Sequence, residues 1–298
     1  MKRFVLKCLV LVVILGVGLL AQYARRFFRA QTLMDEQFAL SKSQKYLFIG
    51  SSQIGCSIIE SEKYSDRVLW VSTSGPQFTC MKLLELDRRR QLSSVKVCVV
   101  PFTINNVNHN STKVLKLSLA RQLPLCWRYI DLLPISFFQA IEGLVANRSL
   151  PFTVSEQPPA GRPSVLTHTK DWILNFPDRE NVRDTIFNEN MYTDNLGLAK
   201  NWRGSTINAY LRMAEVCAHR NIRFVVIAPP CPSFCRDSIP RAGWALYGKM
   251  VDELKNHGIE FIDCRRDMSD DLFCDYWHLI ELGADDFTKA CYRKIGLE

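Results

Sequence analysis

The spacing of apolar positions divides the chain at about residue 45. Beyond it, short runs rich in β-branched and aromatic side chains alternate with longer stretches in which apolar positions recur every three to four residues. The short runs at 46–49, 68–71, 95–100, 222–228 and 260–263 predict strands, and the stretches at 77–91, 206–220, 243–257 and 284–295 predict helices. The run Arg223-Phe224-Val225-Val226-Ile227 shows no polar alternation, as expected of a strand in a parallel sheet covered by helices on both faces. Strand–helix alternation therefore predicts an α/β fold, a three-layer α/β/α sandwich with a mostly parallel sheet, over residues 45–298. Residues 105–204 break the rhythm with Pro, Asn and aromatics, and read as an insertion after the third strand. Insertions at the carboxyl ends of such strands build substrate clefts and their lids.

Ahead of residue 45 the pattern changes. From Phe4 to Ala21 only Lys7 interrupts the apolar run, and it lies near enough to the end to carry its ammonium to an interface. The run is long enough to span a bilayer as one N-terminal transmembrane helix. A cleaved secretory signal would share the basic Lys2 and Arg3 and a similar apolar stretch. The residues before Gln22 are Leu19, Leu20 and Ala21, however, without a small residue at the minus-three position of a cleavage site. The expected organisation is a membrane anchor with its basic flank at 1–29, a connector at 30–44, and the α/β domain at 45–298.

Composition then narrows the function classes. With 298 residues, 47% hydrophobic and 23% charged, the chain can bury a full core and is neither disordered nor a disulfide-stapled miniature. The net charge of +8 suggests a polyanion partner until it is located: Lys2, Arg3, Lys7, Arg25, Arg26 and Arg29 hold most of the excess, and residues 30–298 are close to neutral. A nucleic-acid partner is therefore not expected. The eleven cysteines are scattered singly through apolar sequence and read as buried thiols. Cys231 and Cys235 form the tight pair, spaced for a small disulfide or half a metal site. No His or second pair stands by to complete a metal tetrahedron, so neither a metal nor a cofactor is expected.

Two segments carry candidate chemistry. The first predicted strand ends in Phe48-Ile49-Gly50-Ser51-Ser52, which presents a hydroxyl at the carboxyl edge of the sheet, where backbone amides can stabilise an oxyanion. Far along the chain, Asp275-Tyr276-Trp277-His278-Leu279 precedes Gly283-Ala284 at a helix entry. A serine hydroxyl needs a base to become a nucleophile, and His suits that task near neutrality. An acid three residues earlier can meet the other ring nitrogen and fix its tautomer. His109, His168, His219 and His257 lack this setting. From the residues alone, either Ser51 or Ser52 could serve.

The order Gly-x-Ser after the first strand, Gly after the second, Asn after the third and Asp-x-x-His near the end resembles the SGNH, or GDSL-type, hydrolases across residues 46–295. The resemblance implies Ser52 as nucleophile, Gly75 and Asn105 as oxyanion donors with Asn106 the next candidate, His278 as base, and Asp275 as its orienting acid. Ser51 stands where the family usually has Asp, and the third block lacks the usual Gly-x-Asn-Asp. The Ser-Ser version, the anchor and Ala228-Pro229-Pro230 look closest to bacterial envelope members. What that implies is a serine-dependent acyl-ester hydrolase or O-acyltransferase acting on an acylated, O-acetylated cell-surface glycan. The domain would be held at the membrane on the extracytoplasmic side, in the periplasm or at the cell surface, alongside envelope polysaccharide assembly proteins. The alternative is a catalytically inactive SGNH-like binding or assembly protein.

Overall fold

The structure is a computed structural model that describes residues 17, 40, 44–61, 66–70, 75–107, 128–132, 192 and 198–297. Five strands make one sheet: β1 (Tyr46–Gly50), β2 (Asp66–Trp70), β3 (Val97–Pro101), β4 (Arg223–Ala228) and β5 (Glu260–Asp263). Their order is β2-β1-β3-β4-β5, and every neighbouring pair is parallel. Among the described residues six helices accompany them: α1 (Ser52–Ser57), α2 (Pro76–Arg88), α3 (Leu198–His219), α4 (Ser233–Ser238), α5 (Arg241–Asn256) and α6 (Glu281–Lys294).

The central strands are apolar throughout because both faces are covered. Leu47, Ile49, Cys98, Val100, Val226 and Ala228 point into one core with Phe78 and Met81 of α2, Tyr210 and Met213 of α3, and Tyr247 and Leu254 of α5. Their neighbours Phe48, Val97, Val99, Val225 and Ile227 point into a second core with Ile54 and Cys56 of α1 and Phe287 and Tyr292 of α6. Each fully buried side chain of this size contributes about 1.5–3 kcal/mol. The same period-two geometry thus feeds two cores, one on each side of the sheet.

The predicted strands form within two residues of their expected positions and three of the four predicted helices within three, but the fourth helix differs more. Its spacing predicted a start at Thr206, whereas α3 begins at Leu198, inside the stretch assigned to the insertion. The expected insertion ended at Gly204, which instead lies within α3. A β-carbon at Gly204 would meet nothing within 4 Å, so this glycine marks no turn or close approach, and a single helical Gly costs only about 1 kcal/mol, which tertiary packing overrides. The 3₁₀ turns at Ile104–Asn106, Ile130–Leu132 and Asp270–Leu272 and the short helices α1 and α4 had no periodic signal. Among the described residues no helix is long and apolar enough to cross a membrane; apart from Val17, the apolar run from Phe4 to Ala21 lies outside them.

Chain order fixes where a site can form. After β1 the chain goes outward to β2, then returns to the other side of β1 as β3. The carboxyl end of β1 is therefore a topological switch point, the place where open parallel sheets leave a crevice.

Candidate active site

Gly50 ends β1 at this crevice, and its identity follows from crowding. A β-carbon there would lie 2.4 Å from Cδ of Pro101 at the end of β3 and 3.4 Å from Ile54. Only glycine lets the two strand ends approach so closely. The end of β3 is itself pinned from the helical side: Tyr210 donates its hydroxyl to the Pro101 carbonyl at 2.5 Å and Tyr247 to that of Phe102 at 3.1 Å. Ser51 caps α1 in an extended conformation, and its carbonyl accepts from the amides of Ile54 and Gly55. Ser52 is the first residue of α1, half-buried at the carboxyl edge.

The second half of the site comes from the segment between β5 and α6. Phe273 and Leu279, both fully buried, form an antiparallel bridge that closes the loop between them. The Cys274 amide donates to the His278 carbonyl at 2.9 Å. Inside the loop, Asp275 Oδ1 accepts from the backbone amides of Trp277 and His278, both at 2.7 Å. Its other oxygen, Oδ2, lies 2.6 Å from Nδ1 of His278. At the exit, Gly283 sits so tightly that a β-carbon would fall 2.8 Å from the Leu272 carbonyl oxygen, so the Gly283-Ala284 pair marks a close approach between helix and loop.

His278 Nε2 lies 3.0 Å from Ser52 Oγ. With the proton on Nδ1 shared with Asp275, Nε2 is left as an acceptor for the serine hydroxyl. Ser52, His278 and Asp275 thus stand in one hydrogen-bonded line, half-buried to buried. That arrangement can take a proton from an attacking hydroxyl and return it to a leaving group. Ser51 is not hydrogen-bonded to His278 in this line.

The other expected positions follow the two strands that neighbour β1. Gly75 is buried and caps α2 on the β2 side, and Asn105 lies half-buried in the turn that follows β3 on the opposite side. Asn106 is committed to its own turn: its Oδ1 accepts from the Thr103 amide at 2.6 Å and the Thr103 hydroxyl at 3.2 Å. Of the two asparagines, Asn105 is therefore the one whose side chain this capping box does not occupy.

Thiols do not compete for the nucleophile's role. Cys56, one helical turn after Ser52, is buried, and burial, aided by the negative charge of Asp275, pushes its thiol up to about 12. Cys274 is likewise pushed up to about 12 by burial and by Asp275. Cys231 and Cys235 are free and buried, and a hydrogen bond from Cys231, together with burial, raises Cys235 far above the ordinary thiol range. Protonated thiols are poor nucleophiles. Cys8 and Cys126 lie outside the described residues, as do His109 and His168; His219 and His257 are exposed at helix ends. Among the described residues no cluster of His, Cys, Asp or Glu is placed to hold a metal ion.

Sequence reasoning missed the apolar surface beside the Asp275–His278 loop. Phe234 of α4 is among the few exposed large hydrophobics of the described residues, and its ring meets that of Tyr276 edge-on at 5.5 Å. Ser233, which opens α4, donates its backbone amide and its hydroxyl to Asp270, docking α4 onto the same segment that carries Asp275 and His278. The signal in the sequence is Phe234 itself, set between Cys231 and Cys235 in the segment after β4.

No protein-family model matches the chain, and no curated protein matches it.

Proposed function

We propose that the protein is a serine-dependent acyl-ester hydrolase or O-acyltransferase. The observation that supports it most is the 3.0 Å approach of His278 Nε2 to Ser52 Oγ, with Asp275 on the far side of the ring. Ser52 Oγ attacks the acyl carbonyl as its proton passes to His278 Nε2. The backbone amide of Gly75 and the side chain of Asn105 are the proposed donors to the resulting oxyanion. His278 then protonates the leaving alkoxide, which departs and leaves an ester on Ser52. Water, or an acceptor hydroxyl, loses its proton to His278 and attacks that ester; as the bond to Oγ breaks, His278 returns the proton to Ser52, and the acyl group leaves as the free acid or as an ester of the acceptor. Membership of the SGNH hydrolases fits this order of residues, and the parallel sheet with its switch point fits the fold that the resemblance implies.

The substrate class follows from the same reading: an O-acetylated glycan of the cell envelope, whose ring can lie against the Phe234–Tyr276 surface while its ester reaches Ser52. The residues from Phe4 to Ala21 serve as a membrane anchor, with the domain on the extracytoplasmic side. Release of acetate from O-acetylated polysaccharide, compared with hydrolysis of p-nitrophenyl acetate, tests the activity. Acetate release that falls when a deacetylated acceptor sugar is added, with acetyl groups appearing on that sugar, marks transfer. A folded protein inactive on both esters counts against the enzyme.

A further inference from the structure

The edge of the sheet opposite Ser52 is lined with cations. Lys45 precedes β1, Lys96 precedes β3, and Arg223 opens β4; all three are exposed. They sit side by side, because the Lys96 amide donates to the Lys45 carbonyl at 2.6 Å and the Arg223 amide to the Lys96 carbonyl at 2.9 Å. Helix α2 runs back to the same edge and ends at Arg88, with Arg89 and Arg90 following it, and Arg220 follows the end of α3 at His219.

The acids of this edge are already engaged. Glu85 is buried and held by Arg88 at 2.7 Å, Arg89 at 2.6 Å and Arg128 at 2.8 Å. Asp87 takes Arg220 at 2.5 Å, Glu260 takes Arg223 at 2.6 Å, and Asp66, at the start of β2, is buried against the Tyr292 hydroxyl. The side-chain cations of Lys45, Arg90 and Lys96 make no hydrogen bond or ion pair among the described residues; these residues are held there through their backbone alone. The domain is close to neutral as a whole, yet this edge carries a clear positive excess.

The chain enters the sheet at this same edge. Lys45 follows directly on the connector from the apolar run, and Arg25, Arg26 and Arg29 extend the positive charge toward it. We propose that this basic edge lies against anionic headgroups of the bilayer that holds the N-terminal segment. The inference rests on the anchor reading given above. Its consequence is orientation: β1, about 17 Å long at 3.3 Å per residue, separates the lipid-facing edge from Ser52. The active crevice then opens away from the membrane, toward a substrate projecting into water and not toward a lipid lying in the bilayer.

The test uses the full chain in nanodiscs of phosphatidylcholine, with or without about three-tenths phosphatidylglycerol, exposed to a water-soluble amine-acylating reagent and read by mass spectrometry. A basic residue near an anionic surface gains roughly fivefold in partition, so Lys45 and Lys96 should be acylated about fivefold more slowly in the anionic discs. Lys249 and Lys289, exposed on α5 and α6, should be unaffected, and about 0.5 M salt should restore the two slowed amines. Equal acylation in both discs, with the chain still co-eluting with them, overturns the docking edge and leaves the anchor intact. A chain that fails to enter phosphatidylcholine discs contradicts the anchor. Salt-sensitive protection of Lys45 and Lys96 by added anionic vesicles would then still uphold the edge, and its absence would overturn it. Equal protection by duplex DNA in phosphatidylcholine discs also overturns it, since a general polyanion site would then account for the charge.

Discussion

Asp275 holds His278 in two ways at once: Oδ2 faces the ring nitrogen Nδ1 at 2.6 Å, and Oδ1 accepts the backbone amide of the same residue at 2.7 Å. Spacing of three residues makes this possible, because an aspartate can bond the amides two and three positions on while its second oxygen stays free for a side chain. One carboxylate thereby sets the backbone turn, the ring orientation and the tautomer of His278.

Asp275→Asn should therefore be costly whichever way the amide faces. If its nitrogen meets His278, two donors oppose each other and the wrong tautomer is favoured; if its nitrogen meets the turn, the amides of Trp277 and His278 lose their acceptor. We expect ester hydrolysis to fall by about 10³–10⁴ with the fold retained, as read from initial rates and circular dichroism. Activity within about threefold of the parent would remove Asp275 from the mechanism.

Ser52→Ala and His278→Ala should each abolish turnover of a small acyl ester, and the double variant should be scarcely slower than either single one, because the pair acts as a unit. Ser51→Ala should keep most of the activity, since Ser51 contributes its carbonyl to the start of α1 and lies outside the Ser52–His278 line. Initial rates for the four variants decide the matter. Loss confined to Ser51→Ala would move the nucleophile one residue earlier.

Three glycines should respond differently to alanine. Gly50→Ala drives a methyl to 2.4 Å from Pro101, and Gly283→Ala to 2.8 Å from the Leu272 carbonyl oxygen, so each should destabilise by about 1–3 kcal/mol. Gly204→Ala meets nothing within 4 Å on an α-helix and should be neutral or stabilising by up to about 1 kcal/mol. Thermal midpoints should drop by several degrees for the first two only. A Gly50→Ala protein as stable as the parent would show that the strand ends do not approach as described.

The fold was legible where burial and periodicity agree. The runs around Phe48, Val99 and Val226 lie between two cores, so their unbroken apolar character named both the strands and the covered sheet. The chemistry of the residues suggested a serine at 51–52 with His278, 226 positions on from Ser52, but the choice of Ser52 came through the resemblance, because no local pattern records which loop a strand end will face. What stayed hidden depends on three-dimensional proximity: the crowding of Gly50 by Pro101, the double grip of Asp275, and the way α4 backs the Asp275–His278 loop. The uneven placement of charge was hidden for a related reason. A near-neutral sum over residues 30–298 conceals Lys45, Lys96 and Arg223 brought together by strand order.

Glu85 gives a pH-dependent prediction away from the site. Burial alone would raise its pKa, but hydrogen bonds from Arg88, Arg89 and Arg128 outweigh burial and hold the carboxyl well below its usual range. A depressed carboxyl contributes stability that is present above its unfolded value, near 4.3, and is lost as pH falls through the lower folded value. Glu85→Gln should cost about 2 kcal/mol at pH 7, and the gap between variant and parent should close progressively as pH drops below about 4. Denaturant titrations across that range provide the check. A gap that is constant with pH would mean that Glu85 acts by packing and not through its charge.

The central claim, that Ser52 is a nucleophile activated by His278, is tested most directly by reacting the folded protein with a fluorophosphonate and locating the adduct by mass spectrometry. An activated serine displaces fluoride and keeps the phosphonyl group, whereas a serine in an ordinary turn does not react. The account predicts one adduct, on Ser52, that is absent from His278→Ala. A folded parent protein that remains unlabelled, or one labelled on Ser52 equally with and without His278, would contradict it.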